Sequence, residues 1–403
     1  MKAKLTQKIE KAERRPRAIY LSTYIPRKCG IATYTKDLTN AINVLNPYHL
    51  AEIMAVNDDG YDYPWEVKFR INQNTPADYR AAAEYINRSS AEILCLEHEY
   101  GIFGGKDGAA VLDLMKLVKK PIVTTLHTIL DNPTSGQKEI LTQVCALSDA
   151  VVVMIESMVD RLVDIYGVAE EKIAIIPHGV PDIAYGPTEE FKKEIGYSGK
   201  FLISVNNLLA RNKGFEYLIE AVAAVKKEIP SIRALIIGET HPTVKKYEGE
   251  KYRESLQALV KKLSAKDYIS FINRYVDLDE LVTYLRATDV YVTPYLNPQQ
   301  AASGALSYAV GAGKACVSTP YIYAFEVLNG DRGVLVPFRD STAIAKALIK
   351  IHQNDKLRAS IETKAYQFGR TMIWPAVALQ YLDLFKLVLK ETASLPEKKV
   401  VTV

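Results

Sequence analysis

Residues 293–319 read TPYLNPQQAASGALSYAVGAGKACVST. A β-prone run closes at Tyr295, a polar loop carrying Asn297 and Gln300 follows, and Ser303-Gly304 opens an apolar segment of helical character. A strand-loop-helix joint of this kind aims the first backbone N–H groups of the helix, and the positive end of its dipole, at one point. Ser303, Gly304 and those amides can hold a diphosphate there. Ser303 can equally serve only to cap the helix.

The same alternation extends in both directions from this joint. Apolar runs of strand length occur at 18–23, 51–56, 93–97, 121–127, 150–155 and 172–177, separated by longer segments of helical period. A second series lies at 201–207, 233–239, 268–273, 290–295, 314–319 and 333–338. Short continuous apolar strands alternating with helices are the pattern of parallel sheets covered on both faces. The expected class is α/β, with two Rossmann-like domains facing each other across a cleft. The stretch 181–200, PDIAYGPTEEFKKEIGYSGK, breaks both periodicities and reads as a linker. Expected boundaries are 1–185 for the first Rossmann-like domain, 186–370 for the second, 371–390 for a following helix, and 391–403 for a tail.

The 403 residues suffice for two such domains, and 48% apolar with 24% charged residues suits a globular chain. No apolar run approaches the length of about 18 residues needed to span a bilayer. The opening segment is charged and lacks the apolar stretch of a secretory signal, so the expected location is the cytoplasm. A net charge of +4 argues against a nucleic-acid partner. Residues 2–17 nevertheless hold seven Lys or Arg against two Glu. That segment can touch an anionic membrane surface or remain a solvated tail. Cys29, Cys95, Cys145 and Cys316 are far apart and form no CxxC pair, which favours reduced thiols over a metal or redox centre.

Loops at the carboxyl ends of strands carry the chemistry of such folds. After the first run comes PRKCGIATYT (26–35), where Gly30 permits close approach of a phosphate or sugar and Arg27 and Lys28 can neutralise charge, or the whole is a tight turn. After the third comes HEYGIFGGKDG (98–108), where His98, Glu99 and Tyr100 combine imidazole, carboxylate and an aromatic face, a set suited to a sugar or to a mobile loop. His127 ends TTLHT (124–128) and His178 lies in IPHGVPD (176–182). In the second half, LLARNKGFEYLI (208–219) follows Asn207 and sets Arg211 and Lys213 in one loop, a fork and a point charge for a leaving diphosphate. Gly238 opens GETHP (238–242), and Arg274 follows the next run; both can meet a nucleotide or merely turn the chain.

These motifs, in this order and with STPYIYAFEVL (318–328), resemble the retaining glycosyltransferases of family 4, group 1, which have the GT-B fold. The resemblance spans nearly the whole chain, and GRTMIWPAVALQYLDLF (369–385) looks like the helix that returns to the first domain in that fold. It implies a hexosyltransferase, such as a mannosyltransferase, that uses a nucleoside diphosphate sugar, GDP-mannose or a UDP-sugar, and a saccharide or other hydroxyl acceptor. It further implies that Arg211 and Lys213 bind the donor diphosphate, that Gly30 belongs to the glycine loop near the reaction centre, and that His127 lies near the transferred sugar. His98 is expected to position sugar or acceptor. No cofactor and no metal are expected. One departure concerns two glutamates that many members carry eight positions apart. Here Gln300 and Tyr308 occupy those positions, so the second residue, which usually holds the ribose, offers no carboxylate. A phosphorylase-like enzyme using inorganic phosphate and a catalytically silent glycan-binding protein are the alternatives that this departure leaves open.

Overall fold

A computed structural model of the chain describes residues 15–58 and 60–394. Most of the basic segment 2–17, and the tail beyond 394, lie outside the described residues. The chain divides into two compact units, Met1–Pro177 with Trp374–Val403, and His178–Ile373.

Unit one carries β1 (Ala18–Ser22), β2 (Glu52–Asn57), β3 (Val67–Asn72), β4 (Ile93–His98), β5 (Ile122–Leu126), β6 (Ala150–Val153) and β7 (Ile173–Ile175). They form one parallel sheet in the order β3-β2-β1-β4-β5-β6-β7. Because β1 and β4 are covered on both faces, every residue in them is buried. Ile19, Leu21, Met54, Leu94 and Leu96 pack on one face with Val111 and Leu114. The last described helix, Trp374–Ser394, packs on the helix Gly30–Leu45. Its Tyr381 hydroxyl lies 3.0 Å from that of Tyr34 and 2.8 Å from Thr125 Oγ1.

Unit two repeats the plan with β8 (Phe201–Asn206), β9 (Ile232–Ile237), β10 (Ile269–Ile272), β11 (Val290–Thr293), β12 (Ala315–Ser318) and β13 (Val334–Leu335). Their order is β10-β9-β8-β11-β12-β13, again with every pair parallel. In each sheet the order reverses beside the first strand, between β1 and β4 and between β8 and β11. Such a reversal splays the flanking loops apart and leaves a crevice at the strands' carboxyl ends.

The twelve strands read from the sequence all form, and the α/β class with two Rossmann-like domains is observed. Two expectations need correction. β3 was not anticipated, because VKFRIN alternates apolar and charged residues at the sheet edge and lacks a continuous apolar run. The stretch 181–200 is more than a linker: Glu189–Glu194 is helical, and its Lys192 is buried in an ion pair with Asp289 at 2.7 Å.

In unit two the helices Gly304–Gly311 and Asp355–Gly369 touch through glycines. A Cβ on Gly369 would lie 2.7 Å from Gly311 Cα and 3.1 Å from Val310 O, both backbone atoms that cannot swing aside. Gly369→Ala is therefore expected to cost about 1–3 kcal/mol, the usual penalty of overpacking. Chemical denaturation should show a lower midpoint with an unchanged slope.

Candidate functional site

The carboxyl edge of unit two is assembled by two close approaches. Gly214 has φ +66°, and a Cβ there would lie 2.1 Å from Pro294 O, so the loops after β8 and β11 touch backbone to backbone. Leu296 N donates to Asn212 O at 2.9 Å and secures the contact. Gly238 has φ +134°, with its missing Cβ 2.0 Å from Asn207 O, which brings the loop after β9 against the same joint. Asn207 Nδ2 donates to the Tyr295 hydroxyl, and the Tyr295 ring stacks on Tyr321 at 5.0 Å.

Lys213 projects into this corner. Its ammonium donates to Gln300 Oε1 at 3.2 Å and stands 4.1 Å from the centre of the Tyr295 ring. Gln300 in turn donates from Nε2 to Ala302 O at 3.0 Å, which fixes the amide with its oxygen toward the lysine. Among the described residues no carboxylate pairs with Lys213. Loss of water alone pulls its pKa down to about 8. The Lys213 charge also depresses the pKa of His241, after the larger effect of burial.

Ser303 caps the helix Gly304–Gly311, accepting from Leu306 N at 3.3 Å. His178 lies over the start of this helix, since a Cβ on Gly304 would sit 3.1 Å from His178 Nε2. His178 Nδ1 donates to Gly179 O at 2.7 Å, a carbonyl that can only accept. Tyr308 is buried with its ring edge-on to His178.

The structure gathers Asn207, Lys213, Gly238, Gln300 and Tyr295 into one cluster, and brings His178 to Ser303, Gly304 and Tyr308 at the helix Gly304–Gly311 in an adjoining one. It turns two expected cations elsewhere. Arg211 is 62% exposed and pairs with Glu248 at 3.0 Å, while Arg274 is held by Glu280.

In unit one the Glu97 carboxylate is fully buried and lies 2.8 Å from His127 Nε2. The Tyr34 ring meets His127 edge-on at 5.0 Å. His98, on the opposite side of the strand, is also fully buried, between the rings of Tyr100 and Phe103, and neither ring nitrogen has a hydrogen-bond partner among the described residues. Burial drops its pKa to about 3, with a smaller push from His127, so the ring stays neutral. Glu99 caps Tyr100 N at 2.9 Å and accepts from Thr128, and the Tyr100 hydroxyl donates to Gln137 O at 3.3 Å. Those two residues brace the loop. Arg27 pairs with Asp58 at 2.9 Å and donates to Val56 O at 3.2 Å, which takes it from the open role expected of it. Lys28 is exposed. Among the described residues, apart from its chain neighbours and its own helix backbone, none comes within 4 Å of the missing Cβ of Gly30, the first residue of its helix.

Sequence reasoning overlooked Glu97 and Tyr295. A glutamate closing the apolar strand ILCLE was a legible signal, because a carboxylate is rarely buried without a partner.

Two parallel Rossmann-like units with polar clusters at the strands' carboxyl ends define the GT-B class. A model described as "Glycosyl transferases group 1" matches residues 187–368 and one described as "Glycosyltransferase Family 4" matches residues 51–182. The chain belongs to this glycosyltransferase family. A curated relative, D-inositol 3-phosphate glycosyltransferase of Corynebacterium glutamicum, is 26% identical over 316 residues, covering 72% of this chain and 71% of the relative. Sucrose-phosphate synthase of Thermosynechococcus elongatus superposes with a TM-score of 0.75 at 16% identity, covering 93% of this chain and 100% of its own. Anabaena HepE in complex with UDP gives 0.73 at 14% identity, covering 92% and 100%.

The lowered pKa of Lys213 has a defined consequence for stability. Below pH 8 the folded protein carries a poorly solvated charge; between about 8 and the ordinary lysine value near 10.4, the unfolded chain holds a proton that the folded chain has released, so stability rises with pH. Lys213→Met should melt a few degrees higher than the parent at pH 7, with the difference closing by pH 10. Melting curves across that range, compared between the two proteins, check it.

Proposed function

We propose that this protein moves a hexose from a nucleoside diphosphate sugar to a hydroxyl of a saccharide or other acceptor, with retention at the anomeric carbon. The observation that carries the reading is the Lys213 ammonium, partly stripped of water, balanced by no carboxylate, and held by Gln300 on the loop that leads to Ser303. A cation in that condition is poised to receive an anion, because a diphosphate supplies the countercharge the protein withholds.

In this reading unit two takes the donor. Lys213, the first amides of the helix Gly304–Gly311 and, once released from Glu248, Arg211 receive the charge that develops when the anomeric carbon–oxygen bond breaks and its electron pair passes to the diphosphate. The acceptor oxygen forms the new bond on the same face, and its proton passes to a phosphate oxygen. No protein nucleophile is required. Because the cations and helix amides supply the positive charge, the reaction is proposed to proceed without a metal. His127 holds a sugar hydroxyl, and Glu97 fixes the ring by accepting a hydrogen bond from Nε2–H, which leaves Nδ1 to accept. Tyr308 stands where a carboxylate often grips the ribose and is packed on His178, so the nucleoside is held by other groups.

The donor is proposed to be GDP-mannose or a UDP-sugar; the solved complex of the Anabaena protein with UDP supports the second. The test is incubation of the purified protein with UDP-, GDP- and ADP-sugars and a panel of acceptors, with and without EDTA, followed by detection of the released nucleotide and the glycosylated product. Turnover in EDTA supports the reading. Release of a sugar phosphate that depends on inorganic phosphate would replace it with a phosphorylase, and absence of both nucleotide-sugar binding and turnover would overturn it.

Two further outcomes are expected. Donor affinity should fall as pH rises through about 8 and beyond, the bound anion raising the Lys213 pKa above its free value, whereas Lys213→Arg should bind the donor equally at pH 7 and pH 9.5; isothermal titration at both values decides this. Glu97→Ala should lower kcat about 10- to 100-fold with little change in donor affinity, because a mispositioned His127 loses its grip mainly in the transition state. Steady-state kinetics with the donor varied separate the two effects.

A further inference from the structure

The last described helix, Trp374–Ser394, brings side chains to the His127 site from the far end of the chain. Trp374, Tyr381 and Phe385 stand about two turns and then one turn apart, so they share the face that is buried in unit one. Phe385 packs as a plain ring against Tyr20 and Tyr381. Anchoring the helix needs no more than that. Tyr381, a residue with no exposed surface, carries one oxygen more, and this hydroxyl has two partners, the Tyr34 hydroxyl at 3.0 Å and Thr125 Oγ1 at 2.8 Å. Burying a hydroxyl brings little net stability even when it is fully hydrogen-bonded, so phenylalanine would serve packing as well.

Both partners lead to His127. Thr125 stands two residues before it, and His127 N continues the ladder past β5 by donating to His98 O at 3.0 Å, so the two side chains share one face of the sheet. Tyr34, on the helix Gly30–Leu45, meets the His127 ring edge-on at 5.0 Å and the Trp374 ring at 5.3 Å. The imidazole is thus held at Nε2 by Glu97 and flanked by Tyr34, which the Tyr381 hydroxyl ties to the strand leading to His127. Glu97, Tyr34, Thr125 and Tyr381 are buried, whereas the His127 side chain keeps 9% of its surface exposed. Burial, with smaller contributions from Tyr34 and Glu97, raises the Tyr381 pKa well above the ordinary phenol value. The group therefore stays neutral, with one proton to donate and a lone pair to accept, as two hydroxyl partners require.

We propose that Tyr381 is a positioning residue for the His127 site: its hydroxyl clamps the helix Gly30–Leu45 to β5 and so presses Tyr34 against the imidazole, which keeps the ring on Glu97. This rests on the assignment of His127 to a sugar hydroxyl under the proposed function. Tyr381 itself touches no substrate. The helix that returns to unit one is on this account a part of the site as well as an anchor.

The test uses the full chain and begins with Tyr381→Phe, which removes one oxygen and keeps the ring. Its kcat should fall about tenfold, with the donor KM unchanged, because the loss comes from a misplaced imidazole. In a His127→Ala background the same substitution should have no further effect, since the clamp acts only through that ring. Val388→Ala opens a cavity in the same helix at a buried position and supplies a control for lost stability; its kcat should stay within about twofold of the parent. A second readout needs no turnover. In protein with 15N-labelled histidine rings, the signal missing from His127→Ala identifies His127 among the six histidines. The parent should show the Nε2–H tautomer, and Tyr381→Phe a mixture of the two tautomers. A ring signal unchanged by Tyr381→Phe overturns the clamp. So does a fall in kcat that is equally large in the His127→Ala background, or one that Val388→Ala reproduces. A His127→Ala variant that turns over like the parent would overturn the kinetic role together with the reading it rests on, and the ring signal would then decide the clamp alone.

Discussion

Position 214 has room for a hydrogen and nothing larger, and the chemistry of unit two depends on that. With Pro294 O where a Cβ would otherwise stand, the loops after β8 and β11 are pressed together, and the side chain preceding the contact, Lys213, is delivered to Gln300 and the face of Tyr295. The approach of Gly238 to Asn207 O adds the third loop. Backbone contacts of this kind are stiff, because no rotamer can relieve them. The cluster is thereby held in place before any ligand arrives, which spares binding the entropic cost of assembling it.

The energetic character of both units at their carboxyl edges is that of groups left without full compensation. Lys213 has lost water and gained only a neutral amide; His98 has lost water and gained no hydrogen-bond partner; the Glu97 carboxylate is buried on the strength of one imidazole and a distant thiol, Cys95 Sγ at 3.9 Å. Within the sheets Ser204 is satisfied by Thr288 at 2.7 Å and Ser22 by Thr35 at 2.7 Å. Folding alone does not favour the unsatisfied arrangement. Lys213 and His98 both stand at strand ends beside the point where the order of their sheet reverses.

Much of the fold was legible because its determinants are local. Twelve strands could be read from continuous apolar runs, since a strand buried on both faces has no polar side to show. β3 escaped for the same reason reversed: at the edge, Lys68, Arg70 and Asn72 alternate with Val67, Phe69 and Ile71, and the run resembles a connection. At the site, the glycines and histidines at strand ends could be found from the chain, as could Lys213 and Gln300. Arg27, Arg211 and Arg274 looked equally available, yet Asp58, Glu248 and Glu280 engage them. Glu97 was hidden in an apolar strand, its role visible only once His127 stood beside it.

The sequence by itself determined the order of the elements, the parallel α/β class and the positions at which polar loops interrupt apolar strands, because hydrophobic period and glycine placement act over a few residues. Which cations remain uncompensated and which histidine faces a carboxylate were decided by the tertiary structure. Ion pairing and burial depend on distances between loops far apart along the chain, and those distances exist only after each sheet has formed.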